Sequence, residues 1–165
     1  MADGRITVRK AQASDVAVLK QVLQDTFEGT WLPHITHSSA QRYVETDIGG
    51  RYVEQNWPEF TVAEIDSEIA GLIHWRGDFI EAVHVSASHQ GQGVGGRLLT
   101  HAERAIAAAG FSQVRLETDT FNERAQNVYK AVGYVEKDRY PDDEWDSGFT
   151  TVLFEKRLAA VPGEV

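Results

Sequence analysis

His89-Gln90-Gly91-Gln92-Gly93-Val94-Gly95-Gly96-Arg97 is the stretch on which the reading of this chain turns. It follows an apolar segment, Ile80 to Val85, that reads as a strand, and it precedes Leu98, Leu99, Ala102, Ala105, Ile106 and Ala109, which recur at helical spacing up to Gly110. The glycines between Gly91 and Gly96 carry no Cβ, so the backbone can curl tightly and aim several N–H groups at one point. That point lies at a helix N-terminus. Unsatisfied N–H donors and a partial positive charge make it a seat for an anionic group such as a pyrophosphate.

The turn fits two patterns. Gly91, Gly93 and Gly96 read as G-x-G-x-x-G, with Glu117 about 20 residues on, which is the dinucleotide fingerprint. Gln90, Gly93 and Gly95 read as Q-x-x-G-x-G, and here the stretch resembles the acyl-CoA pyrophosphate loop of the GNAT superfamily of N-acetyltransferases. Both patterns solve the same electrostatic problem, so the rest of the chain arbitrates.

Arg5 to Arg9 alternates with period two and predicts a first strand. Ser14 or Asp15 then caps a helix carrying Val16, Leu19, Leu23 and Phe27 at helical spacing. Periodicity breaks between Gly29 and Thr36, around Pro33. A second helix is expected from about Ser39, with Tyr43, Val44 and Ile48 on one side and Gly49-Gly50 bending it. Phe60 to Ile65 and Ile69 to Trp75 flank the polar turn Asp66-Ser67-Glu68 as a hairpin, and Phe79 to Val85 adds a third strand. Three sequential antiparallel strands ahead of the glycine turn do not suit a nicotinamide-binding domain, whose fingerprint opens a parallel βαβ unit. After the glycine helix come a strand at Val114 to Thr118, parallel to its predecessor, and a helix from Asn122 closed by Gly133. Tyr134 to Arg139 and Phe149 to Lys156 complete the strands, on either side of the acidic loop Tyr140 to Gly148.

The length of 165 residues predicts one domain, drawn here as 1–158 with a tail at 159–165. The absence of cysteine removes disulfides, zinc-thiolate sites and a cysteine nucleophile. A net charge of −9 argues against a nucleic-acid partner, which needs a basic face. The N-terminal residues show no apolar leader, and no apolar run approaches the ~20 residues of a membrane span. The expectation is a cytoplasmic protein without a membrane partner; a homodimer is left open.

The segment Asn122-x-x-Ala125-x-x-x-Tyr129-x-x-x-Gly133-Tyr134 resembles the second signature of the same acetyltransferases and follows the glycine turn by one helix and one strand. The resemblance runs from Arg5 to Leu158. It implies a mixed α/β (α+β) single-domain fold of order β-α-α-β-β-β-α-β-α-β-β, with a mixed sheet splayed open after the strand carrying Val85. It also implies an N-acetyltransferase that uses acetyl-CoA as co-substrate, by direct attack of a primary amine and without a metal. The pantetheine arm would lie along Val83, His84 and Val85. The pyrophosphate would sit on Gln90, Gly91, Gln92, Gly93, Val94, Gly95 and Gly96, with Arg97 and Asn122 near the cofactor.

N-acetyl transfer needs a neutral amine, donors for the charge building on the carbonyl oxygen, and a proton for the thiolate. By the resemblance Tyr129 is the acid and also touches the cofactor; a phenol of pKa about 10 can supply a thiolate of about 8.5. Its place on the stripe of Ala125, Val128 and Val132 equally suits a packed aromatic. Glu81 is the base candidate, at a spacing where related enzymes carry a carboxylate or histidine, and it equally suits a solvent-facing position. His84 is the alternative base, although strand alternation puts it on the opposite face from Glu81. The main-chain N–H of Val83 or His84 is the oxyanion donor by resemblance. Phe27, Trp31, Asp142 and Trp145 are expected to bind the acceptor, a small amine held by aromatic rings and carboxylates. A non-catalytic acyl-CoA-binding module is the alternative function.

Overall fold

Apolar residues alternate sides in the central hairpin. Val62 and Leu72 face one way and Ala63, Ala70 and Ile73 the other, and all five are fully buried. A sheet apolar on both faces must be covered on both. The computed structural model, which describes residues 5–141 and 149–159, has that arrangement. Its strands are β1 (Ile6–Lys10), β2 (Thr61–Ile65), β3 (Glu68–Arg76), β4 (Phe79–Val85), β5 (Gln113–Asp119), β6 (Val135–Pro141) and β7 (Thr150–Arg157). Its α-helices are α1 (Val16–Thr26), α2 (His37–Thr46), α3 (Ile48–Asn56), α4 (Val94–Ala108) and α5 (Glu123–Ala131). Leu19, Val22 and Leu23 of α1 and Val53 of α3 pack on the Val62–Leu72 side. Val94, Leu98, Leu99, Ala102 and Ile106 of α4 pack on the other.

The strands form one mixed sheet in the order β1-β2-β3-β4-β5-β7-β6. All neighbours are antiparallel except β4 and β5. This parallel pair meets at Phe79↔Arg115 and Ile80↔Leu116 and then diverges. Beyond that point β4 stays paired to β3 as far as Val85, and β5 stays paired to β7 as far as Asp119. The facing edges of β4 and β5 are left open, and the sheet splays as expected.

Several helical expectations need correction. The chain does not leave the helix at Gly29: Phe27–Trp31 continues as a wide π-type turn and Leu32–His34 as a 3₁₀ turn. Pro33 falls in the first turn of that short helix, where its missing N–H costs nothing. Nor is there one helix bent at Gly49-Gly50. The break comes at Asp47, which is left-handed at φ 49°, and the glycines open a separate helix, α3. A Cβ at Gly49 would stand 2.5 Å from the Tyr43 hydroxyl, so glycine is what lets Tyr43 lie this close to the start of α3. Thr36 rather than Ser39 starts α2, its hydroxyl accepting the Ser39 N–H at 3.2 Å. Val44 is 65% exposed, so it lies off the packed side expected for it.

Candidate active site

The glycine turn winds as its composition demands. Gly91 (φ 78°) and Gly93 (φ 87°) adopt the left-handed angles that glycine takes without a steric penalty, and Gly93 heads α4. The Arg97 N–H bonds the Gly93 carbonyl at 3.1 Å, so the N–H groups of Val94, Gly95 and Gly96 stand at the helix end. An added Cβ at Gly91 or Gly96 would meet no atom within 4 Å. The turn therefore borders open space that packing does not claim, a cradle with the donors and dipole an anion needs. Arg97 is exposed and makes no ion pair among the described residues. Gln90 spans the turn, bonding the Val85 carbonyl at 3.4 Å and accepting from Arg124 Nη1 at 2.6 Å. The sequence reading passed over Arg124, whose signal was its place two residues after the cap of α5.

The parting of β4 from β5 opens a cleft of about 540 Å³. Glu81, Val83 and His84 form its β4 wall, and Glu117, Thr118 and Asp119 its β5 wall. Asn122 and Tyr129 enter from α5, and Trp31, Tyr43 and Tyr52 from the helices opposite. Glu81 and His84 share this cleft although strict alternation would separate them. The register steps from His74↔Ala82 to Trp75↔Ile80, leaving Glu81 as the extra residue of a β-bulge, and a bulge resets which side each later residue faces.

Tyr129 is both packed and at the cleft. Its ring packs against Tyr134 and Phe154, at 5.9 and 6.0 Å between centroids, while the residue lines the cleft. Its hydroxyl has no hydrogen-bond partner among the described residues, and burial pushes its pKa up to about 12. Asn122 caps α5 by accepting the Ala125 N–H at 3.2 Å. Burial pushes the His84 imidazole down to about 4, so the ring is neutral, and its buried Nδ1 has no partner among the described residues.

Trp31 crosses the mouth of the cleft, its indole N–H donating to Asp119 Oδ2 at 2.9 Å and its ring meeting His84 edge-on at 6.0 Å. Phe27 does not reach the cleft. It is 1% exposed and stacks under Tyr43 at 3.8 Å, so Tyr43 presents the aromatic surface expected of Phe27. Asp142 and Trp145 lie outside the described residues. Tyr140, whose hydroxyl donates to Glu117, also lines the cleft, at the start of the acidic loop. Tyr52 was missed as well, because α3 itself was not foreseen.

Residues 18–134 match the model of the acetyltransferase (GNAT) family. Phosphinothricin N-acetyltransferase of Streptomyces viridochromogenes is 24% identical over 139 residues, covering 79% of this chain and 74% of that one. Thialysine N-epsilon-acetyltransferase of Bos taurus is 33% identical over 61 residues, a match spanning 36% of each chain. Among solved structures, PaiA N-acetyltransferase from Thermoplasma acidophilum, in complex with coenzyme A, superposes with a TM-score of 0.75 at 17% identity, covering 92% of this chain and 98% of that one. With a family model matched over most of its length and the splayed sheet beneath it, the chain belongs to the GNAT family of acetyltransferases.

Proposed function

We propose that the protein transfers the acetyl group of acetyl-CoA to the primary amine of a small cationic acceptor by direct attack. The observation that carries this reading is the parting of β4 from β5 beside the helix N-terminus at Gly93. The open edge at Val83, His84 and Val85 suits the two amides of a pantetheine arm, which would bind as a further strand. The N–H groups heading α4, with Arg97 and Arg124 alongside, suit the pyrophosphate. When bound, acetyl-CoA supplies the activated thioester.

The chain's own groups then have distinct tasks. Tyr129, fully protonated at neutral pH, donates to the leaving thiolate. The main-chain N–H of Val83 or His84 faces the charge that builds on the carbonyl oxygen. Glu81 takes the proton that the amine loses as the amide forms. The acceptor is read from the walls: Glu81, Glu117 and Asp119 supply negative charge, and Trp31, Tyr43 and Tyr52 supply aromatic faces. The relatives named for phosphinothricin and thialysine act on small molecules, which supports a small acceptor.

The test is a thiol-release assay with acetyl-CoA and a panel of amines, on wild type and Tyr129→Phe. Wild type turns over a cationic alkyl amine, whereas the variant binds CoA with unchanged affinity and loses on the order of 10²-fold in kcat. Unchanged kcat would return Tyr129 to a packing role. CoA binding without transfer to any amine would favour an acyl-CoA-binding module.

A further inference from the structure

Two histidines stand on the same face of the central sheet and differ in how their nitrogens are used. His74 on β3 is 1% exposed, and both its nitrogens are engaged, Nδ1 with the Tyr52 hydroxyl and Nε2 with Glu59 Oε1 at 3.1 Å. His84 on β4 pairs with Leu72, two residues before His74. Paired residues of an antiparallel ladder face the same way, so the His84 side chain points to the side on which Leu72 packs with α1 and α3. There it meets the edge of Trp31 at 6.0 Å and lines the cleft. Its Nδ1 is enclosed and finds no partner among the described residues, which leaves Nε2 as the nitrogen that opens on the cleft.

The tautomer follows from that enclosure. A proton on Nδ1 would bury an N–H with nothing to receive it, a costlier arrangement than a buried lone pair. The proton therefore sits on Nε2, and the neutral ring presents a donor to the cleft. The same enclosure disqualifies the ring as a base. Accepting a proton would make it a buried imidazolium, and burial already pushes its pKa down to about 4. The donor is also turned away from the pantetheine, which is assigned to the main-chain edge of β4 in the plane of the sheet, whereas a strand side chain stands perpendicular to that plane. It is aimed at the acceptor side, beside Trp31.

We infer that His84 selects the acceptor by donating from Nε2 to a neutral oxygen on it, so that the acceptor is a cationic amine carrying a hydroxyl or an amide carbonyl. This rests on, and deepens, the reading of the cleft as an amine site. The oxygen is a neutral one because Glu81, Glu117 and Asp119 on the walls repel a carboxylate, and a neutral imidazole brings no charge to offset them. Trp31 does not serve instead, since its indole N–H is given to Asp119 at 2.9 Å. An acceptor without the oxygen would close the Nε2–H against carbon and leave both ring nitrogens unpaired.

The experiment compares ω-amino alcohols and ω-amino amides, from ethanolamine and glycinamide upward, with the alkyl amines in which a methyl group replaces the oxygen-bearing end. kcat/KM is measured for wild type, for His84→Phe and His84→Leu, which lack the donor, and for His84→Gln, whose amide N–H reaches the place of Nε2. Amine basicity is the same whichever enzyme is present, so the change in the ratio between wild type and variant reads the side chain alone. For the best acceptor, the ratio of oxygenated to alkyl amine should fall about 10-fold in the two donorless variants and be largely kept in His84→Gln. A purely structural loss would slow both amines together and leave the ratio in place. The matching ω-amino acids should be poorer than either, and a preference for them would overturn the neutrality of the oxygen. Thermal unfolding monitors the fold of each variant, and the ring is also read without any substitution: ¹⁵N NMR of the wild type should find Nε2 protonated and Nδ1 bare. The opposite tautomer, or a ratio unmoved in a folded donorless variant, would overturn the donor and leave the amine reading standing. A wild-type enzyme that acetylates no amine of any series would overturn that reading, and the role of His84 with it.

Discussion

At Gly93 the chain sits at φ 87° directly under the N-terminus of α4, so a branched side chain there would meet both a steric penalty and the space assigned to the pyrophosphate. Gly93→Val is expected to lose CoA binding while keeping its fold; calorimetry that found wild-type affinity would remove the pyrophosphate from this turn. His84 offers a second measurement at the same scale. Its ring is held near pKa 4 by burial, against about 6.5 in an unfolded chain, so the unfolded state binds the proton more readily. The sign follows: the native state keeps its full stability above pH 6.5 and loses stability as the pH falls from there toward 4, by at most about 3 kcal/mol, with no further loss below. Urea unfolding from pH 7 to pH 4 should show this slope in wild type and a shallower one in His84→Gln. An equal slope in both would assign the acid sensitivity to other groups.

Elements meet at points where a single side chain decides the geometry. Gly71 on β3 pairs with Val85 on β4, and a Cβ there would stand 2.6 Å from the His84 carbonyl oxygen and 3.1 Å from Val94. Since the obstacle is backbone, Gly71→Ala must push β4 outward along the edge assigned to pantetheine. We expect about 2 kcal/mol of destabilisation together with a raised KM for acetyl-CoA; a stability loss with KM unchanged would show that β4 absorbs the strain elsewhere. The entry to α1 depends on Asp15, which is 7% exposed, accepts the Gln12 N–H at 2.7 Å, and holds Arg9 at 2.8 and 3.0 Å. Arg9 also reaches Glu64 at 2.6 Å, so one cluster ties β1 and β2 to the start of the helix. Asp15→Ala should cost about 2 kcal/mol in chemical denaturation, and Ser14→Ala, at an exposed position, close to nothing. Similar losses in the two variants would mean that Ser14 contributes to the cap.

Over the whole molecule the charge is −9, which repels an anionic co-substrate and attracts a cationic one. The donors at the head of α4 work against that field at short range. A cationic acceptor works with it, and salt screens the attraction beyond roughly 10 Å. KM for a polyamine should therefore rise several-fold between low and physiological ionic strength, while KM for a neutral aryl amine stays constant; parallel behaviour of the two would deny the acidic walls a part in recognition. The strands, the hairpin, the glycine turn and the capped helix at Asn122 were legible in the sequence because each is written locally, in alternation, helical spacing, glycine density and cap chemistry. So was the order of elements that separates this family from a nicotinamide-binding domain. What the sequence left unread depends on contacts between residues far apart in the chain. The left-handed Asp47 that divides α2 from α3 goes with the close approach of Tyr43 to Gly49. The bulge at Glu81 exists only in the register between two strands, and it overrides the alternation that would keep Glu81 and His84 on opposite faces. Tyr52, His74 and Glu59 carry no spacing signal, since a strand, a helix and a short turn bring them together by packing alone. Local chemistry thus determined the elements and the glycine turn at the head of α4, and tertiary packing decided which side chains face the cleft.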